Sequence, residues 1–278
     1  NYPGKTVEVN LATTHFKDRE FGIMDLPGTY ALGSVSEDQW VARQALLDAD
    51  PDAVLVIVDA TRLERNLYLP LQLLDLGLPV VVALNLVDEA WRNGLRIDHH
   101  RLSRLLGVPV VPTVAIRGQG LDQLVEMGCK TAQSHGLPLV TPRYGMDVED
   151  AIGALSDLLA KEGIALPHGL PPHAVAVLLL EEDEEFLAWA RALPEGERIL
   201  AKVGEVASSI AERHGEPAPL WIARERHGLA GAITAQVQRR VRAPSKAQDR
   251  LWRLTTAPAT GYPMLVLTLI GLFAFLFF

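Results

Sequence analysis

The amino-acid sequence predicts an α/β protein: a mostly parallel sheet flanked by helices, then an all-helical domain, then the start of a membrane-crossing helix. Three observations carry this. Residues 1–128 alternate short apolar runs with helical stretches, the pattern of βαβ units. Over 129–255 strand-like runs nearly vanish and helical periodicity takes over. In the last part, 256–278, the stretch Gly261–Phe278 is free of charge, and Leu, Phe, Val and Ile dominate from Met264 onward.

In the first part, apolar runs bounded by turn residues read as strands at Thr6–Leu11, Glu20–Asp25, Ala53–Asp59, Val80–Asn85 and Val108–Thr113. Ser36 with Gln39 three residues on forms a capping box, opening a helix through Trp40, Ala45 and Leu46. Asn66–Leu76 puts Leu67, Leu71 and Leu74 on one helical face, and Gly77 and Pro79 stop it. Leu121–Val125 begins a final helix. In the second part Val148–Lys161, Pro172–Leu193, Arg198–Gly215 and Leu220–Val241 read as helices divided by Gly and Pro. The C-terminal apolar run approaches the ~20 residues a bilayer span needs. Upstream of it lie Arg239, Arg240, Arg242, Lys246, Arg250 and Arg253 with one acid, Asp249, which sets the preceding domains on the cytoplasmic side.

Composition narrows the class. At 278 residues the chain can form a full core and more than one domain. A single cysteine, Cys129, rules out an internal disulfide framework and suits a reducing compartment. A net charge of −8 argues against a general nucleic-acid binder, which needs clustered Lys and Arg. Glu181–Glu185 reads as a solvated helix face rather than a metal site, and the eight His residues lack metal-ligand spacing.

Function concentrates at two strand ends. In an open parallel sheet, ligands bind beyond the carboxyl ends of the strands. Asp25-Leu26-Pro27-Gly28 there offers a carboxylate for Mg²⁺ and a glycine N–H for a γ-phosphate. Asn85-Leu86-Val87-Asp88 offers an amide and a carboxylate for a purine edge, and Asp88 suits the N1–H and N2–H₂ donors of guanine. Each alone is common turn chemistry. Two in order, each closing a strand, read as a GTP site. The Gly-x-x-x-x-Gly-Lys-Ser/Thr loop that cradles phosphates is absent from these residues, so the expectation is a fragment whose N-terminal end has been lost.

These residues, with Asn1–Glu8 and Val58–Leu67, resemble the ferrous iron transport protein B (FeoB) family. The resemblance implies a Ras-like, P-loop GTPase sheet over 1–128 without its phosphate loop, a helical domain over 129–255 that slows nucleotide release, and a transmembrane start over 256–278. Gly4, Lys5, Thr6, Val7 and Glu8 would then form the first switch beside the nucleotide, with Thr6 joining the Mg²⁺ shell when GTP is bound. Asp25, Leu26, Pro27 and Gly28 match the third GTPase motif, Asn85 to Asp88 the fourth, and Thr113, Val114 and Ala115 the fifth, whose N–H groups approach the guanine oxygen. Thr6 and Gly28 take the catalytic roles, and Thr6 and Asp25 hold the metal. GTP or GDP and Mg²⁺ are the implied ligands and ferrous iron the cargo. The bacterial inner membrane, multi-pass in the intact protein, is the implied location. A homo-oligomer and small accessory transport proteins stay open as partners.

Residue 29, directly after Gly28, is Thr and not the Gln that orients water in Ras-like enzymes, which predicts slow intrinsic turnover. Two alternatives share the GTP motifs. One is a soluble GTPase of ribosome assembly or tRNA modification, opposed by the acidic charge and the apolar terminus. The other is a regulatory module that binds nucleotide without turnover.

Overall fold

The structure, a computed structural model, describes residues 9–17, 19–33, 36–133 and 142–241, together with Pro263, Val266, Ile270 and Phe273. It opens with an antiparallel hairpin of β1 (Asn10–Phe16) and β2 (Arg19–Asp25), in register from Asn10 opposite Asp25 to Phe16 opposite Arg19. Helix α1 (Glu37–Ala49) follows, its first turn held by the Gln39 N–H donating to Ser36 Oγ at 3.4 Å. Next come β3 (Val54–Asp59), a 3₁₀ turn (Ala60–Arg62), α2 (Leu63–Asn66), α3 (Tyr68–Asp75) and β4 (Val80–Asn85). Then follow α4 (Val87–Arg92), β5 (Leu95–Ile97), α5 (His99–Leu106), β6 (Val110–Pro112), a second 3₁₀ turn (Ala115–Arg117) and α6 (Leu121–Gln133).

Strands β3, β4 and β6 form a parallel sheet with β4 in the middle. Residues Val80–Leu84 are all buried, as a central strand covered on both faces requires. On one face Val56, Val58, Val80, Val82 and Leu84 enter the main core with Leu71 and Leu74 of α3 and Leu102 and Leu106 of α5. On the other, Val81, Ala83 and Val111 pack with Leu124 of α6. Leu55 and Ile57 of the outer strand remain exposed.

The helical part comprises α7 (Met146–Glu162), α8 (Pro172–Leu180), α9 (Glu184–Ala192), α10 (Gly196–His214) and α11 (Ala218–Val237). Helix α8 is apolar all round and lies at the centre, with every residue from Ala174 to Leu180 buried. Helix α11 packs on α2, α3 and α5, so sheet and helical bundle share one continuous core.

That junction contains a buried charge network. Arg226 of α11 is 1% exposed and Asp75 of α3 is 2% exposed. Arg226 donates to Asp75 Oδ2 from Nε at 3.1 Å and Nη2 at 2.8 Å, and from Nη1 to Glu181 Oε1 at 2.7 Å and the Tyr68 hydroxyl at 3.2 Å. Burial opposes the guanidinium charge, but Glu181, Tyr144 and Asp75 hold its pKa above the usual value. Burial also pushes the Tyr144 phenol well above its ordinary range, so it stays protonated and donates to Asp75 Oδ2 at 2.5 Å.

Several expected elements differ. The first strand is described over Asn10–Phe16 and runs past its expected end at Leu11, because the hairpin turns at Lys17, which takes a φ of 56°. Thr6, Val7 and Glu8 of the expected strand lie outside the described residues. The helix expected over Asn66–Leu76 starts at Leu63 and breaks at Leu67, although Leu67, Leu71 and Leu74 are buried as their spacing predicts. Pro172–Leu193 is two helices, not one. Glu182 takes a φ of 56°, and Asp183 restarts the chain by accepting the Glu185 and Phe186 N–H groups. Leu220–Val241 ends as helix at Val237 and continues as β7 (Gln238–Arg240), an antiparallel partner of β5.

Of the acids 181–185 only Glu182 and Glu184 are exposed as a solvated face would be; the other three are engaged. Glu181 binds Arg226, Asp183 binds Arg43 at 3.0 Å, and Glu185 sits 3.3 Å from Arg43 and accepts from Gln44 at 2.9 Å. Most of the apolar run 264–278 and the basic residues Arg242, Lys246, Arg250 and Arg253 lie outside the described residues. Among the described residues no helix is long and apolar enough to cross a membrane.

Candidate functional site

The parallel sheet brings three polar residues to one edge. Asp59 pairs across from Asn85 at the carboxyl ends of β3 and β4, and the Thr113 N–H donates to the Leu84 carbonyl at 2.8 Å. There the Asn85 amide oxygen accepts from the Thr113 hydroxyl at 3.2 Å and from the Ala115 N–H at 3.1 Å. The fourth and fifth motifs, separate in sequence, are therefore one hydrogen-bonded unit. Thr113 and Val114 are buried and Ala115 is exposed, so the loop is anchored on its inner side and open on its outer side.

Leu86 turns the chain out of the strand in the left-handed region, φ 61° and ψ 29°, and Val87 starts α4. This sets Asp88 in the first helical turn, where its carboxylate favours the positive end of the helix. Asp88 Oδ2 pairs with Arg92 one turn on and lies 3.6 Å from Arg117. The return of the fifth-motif loop depends on Gly120. Its φ is +81°, and a Cβ there would stand 2.3 Å from the Pro112 carbonyl oxygen.

The third motif is placed differently from the expectation. Asp25 ends a hairpin strand that is not hydrogen-bonded to the parallel sheet, so it does not close a strand of that sheet. What ties it to the body is Leu26, which packs against the main core. Asp25 and Gly28 are exposed, and Asp25 has no ion pair among the described residues. The Thr29 hydroxyl donates to the Ala31 carbonyl at 2.6 Å and accepts the Ala31 N–H at 3.2 Å, so its own loop occupies it. Gly4, Lys5, Thr6, Val7 and Glu8 lie outside the described residues.

Sequence reasoning missed three residues of this site. Arg92 was readable as the i+4 partner of Asp88. Arg117 was not, because its approach depends on the folded loop. Gln72 is the third: its amide accepts the Leu32 N–H at 2.7 Å and donates to the Leu32 carbonyl at 3.0 Å, fastening the loop after Gly28 to α3. A cavity of about 180 Å³ between the sheet, α4, β5 and α5 is lined mainly by apolar groups such as Leu84, Val87 and Ile97.

A parallel sheet flanked by helices, with an Asn-x-x-Asp corner clasped to a Thr-x-Ala loop, defines a Ras-like G domain, here followed by an all-helical domain. A family model described as ferrous iron transport protein B matches residues 1–127, and one described as the FeoB cytosolic helical domain matches 144–239. The chain belongs to the FeoB family. It is 35% identical over 279 residues to the Fe(2+) transport protein A/Fe(2+) transporter FeoB fusion protein of Porphyromonas gingivalis, covering 98% of this chain and 33% of that protein. Against the Fe(2+) transporter FeoB of Escherichia coli it is 44% identical over 128 residues, 45% of this chain and 17% of that one. The chain thus spans a third or less of the curated relatives named here. Among solved structures, the mGMPPNP-bound NFeoB of S. thermophilus aligns with a TM-score of 0.73 and 32% identity, covering 87% of this chain and 88% of that one. The apo cytosolic domain of the T. maritima FeoB iron transporter aligns with a TM-score of 0.69 and 31% identity, covering 86% and 88%.

Proposed function

We propose that this chain is the GTP-binding, GTP-hydrolysing cytoplasmic portion of a bacterial inner-membrane ferrous iron transporter, in which nucleotide state gates Fe(II) uptake. The observation that carries the reading is the clasp of Asn85 with Thr113 and Ala115 at the carboxyl edge of the sheet. It pre-forms a polar rim for a guanine, with Asp88 beside it as acceptor for N1–H and N2–H₂. Leu86, Val87 and Val114 shape the backbone that presents these groups. The domain limits we adopt are 1–128 for the G domain, 129–255 for the helical domain and 256–278 for the membrane start.

Asp25 fits a Mg²⁺ site shared with substrate phosphates. It is an exposed carboxylate without an ion pair among the described residues, and Mg²⁺ takes one or two carboxylates with phosphate oxygens and water. Thr6 is the second protein ligand in this reading. When bound, Mg²⁺ neutralises charge developing on the phosphate oxygens. The chain's own part is to orient. The Gly28 N–H faces the γ-phosphate, and Gln72 keeps the loop that follows in register. Thr29, spent on Ala31, leaves the attacking water without a two-point clamp, which makes turnover slow. Slow turnover suits a gate, and the helical domain acts on nucleotide release through its shared core with α3.

Base choice tests this reading. In the full-length protein, Asp88→Asn weakens GTP and strengthens xanthosine triphosphate, because an amide complements the xanthine carbonyl. A buried polar group left unpaired costs about 1–3 kcal/mol, or roughly 5- to 150-fold in affinity. Equal GTP affinity in wild type and variant would remove Asp88 from the site.

A further inference from the structure

The β5–β7 ribbon carries a charge arrangement that the nucleotide site does not use. Its antiparallel register sets Arg96 directly opposite Arg239. Directly opposite side chains share a face, with Cβ atoms about 4.5–5.5 Å apart, and like charges in that position repel. Both arginines are exposed, and among the described residues neither has an ion pair. Arg240, also exposed and without an ion pair among the described residues, follows directly. The nearest acid in sequence, Asp98, already accepts the Arg101 N–H at 2.9 Å as the cap of α5. Arg96 lies over the ring of Trp91 at 4.3 Å, and Trp91 is 42% exposed. A repelling pair of this kind would be relieved by an anion shared between the two guanidinium groups.

The position of the ribbon identifies the occupant. β7 is the last described element before the apolar run, and Arg242, Lys246, Arg250 and Arg253 follow it in sequence. Beyond them Val266, Ile270 and Phe273 stand at helical spacing and are 53%, 61% and 65% exposed. Arginine flanking a half-exposed tryptophan is the side-chain chemistry of a membrane–water interface. We infer that the Arg96–Arg239 face docks the cytoplasmic domains on anionic phospholipid headgroups of the bilayer that the apolar run enters. The inference rests on the membrane-tethered reading above. Docking would fix the orientation of the helical domain, since β7 continues α11 directly.

The test uses the whole chain reconstituted into vesicles of phosphatidylcholine alone or of an equal mixture with phosphatidylglycerol. Lipids brominated high on the acyl chain quench Trp91, read as the difference between the wild-type chain and Trp91→Phe. Quenching should be stronger in the anionic vesicles and fall as salt rises. Arg239→Glu removes two units of positive charge while making an attractive pair with Arg96, so folding is preserved. At about fivefold per charge near an anionic surface, it should lower docking roughly 25-fold, whereas Arg239→Lys should retain it. Equal quenching in both bilayers, or wild-type quenching in Arg239→Glu, overturns the inference. Loss of quenching on adding inorganic phosphate at constant ionic strength would make this a free-anion site and overturn the bilayer assignment. A chain that floats with neither vesicle overturns the tethering reading, and this inference with it. One that floats with both without charge-dependent quenching overturns this inference alone.

Discussion

Replacing Arg226 by Met tests how the two domains are held together. The substitution keeps an unbranched apolar stem and deletes the guanidinium from a site where it is 1% exposed. Glu181, 22% exposed, can recover water when its partner goes. Asp75 cannot. At 2% exposed it would keep only the Tyr144 hydroxyl on Oδ2, and its Oδ1 already has no hydrogen-bond partner, with His173 Nε2 4.0 Å away. An uncompensated buried charge of this kind costs about 3–5 kcal/mol. For a protein of this size that corresponds to a fall of roughly 6–20 °C in melting temperature. Urea denaturation of the whole chain in detergent, followed by far-ultraviolet circular dichroism, measures the loss. Adding Asp75→Asn to Arg226→Met should restore part of it, because the stranded charge is gone. A loss below about 1 kcal/mol in Arg226→Met would refute the reasoning and show that Asp75 finds water or a proton at little cost.

Gly120→Ala should loosen the fifth-motif loop, since its Cβ would stand 2.3 Å from the Pro112 carbonyl oxygen at a φ of +81°. The strain is about 1–3 kcal/mol, and calorimetry should find GDP binding to the full-length protein weakened about tenfold as Ala115 leaves Asn85. Asp147 gives an acid-limb prediction. Burial pushes its carboxyl up, but the hydrogen bond from His214 and neighbouring backbone N–H groups hold it below the ordinary value of 3.8. A depressed folded pKa contributes stability above 3.8 that is lost as pH falls through the lower folded value. Asp147→Asn should therefore be less stable than wild type at neutral pH and converge with it in acid. A constant gap in melting temperature across that window would exclude the linkage.

The part of this protein legible in its sequence is the part written at short range. Val80–Asn85 declares a central parallel strand, because covering both faces demands an unbroken apolar run. Ser36 and Gln39 mark the start of α1 because a cap is local chemistry. The Asn85–Asp88 corner could be read at the end of its strand, and the FeoB likeness rested on such segments. The all-helical character of the second domain followed from periodicity in the same way.

What only the tertiary structure decided is everything that depends on a partner far along the chain. β5 and β7 are strands of three residues each, too short for an alternating pattern, and each exists because the other lies beside it. The break at Glu182 was hidden because it falls inside the acidic run Glu181–Glu185, which reads equally well as the polar face of one longer helix. Glu181, Asp183 and Glu185 around it look solvated in sequence and become ion-pair partners only once Arg226 arrives from α11 and Arg43 from α1. Arg226 itself reads as an ordinary surface arginine in a helix of weak amphipathic pattern. Periodicity and capping report which face of an element turns inward. They carry no information on which charge will meet which, because that energy arises only where two distant elements exclude water together.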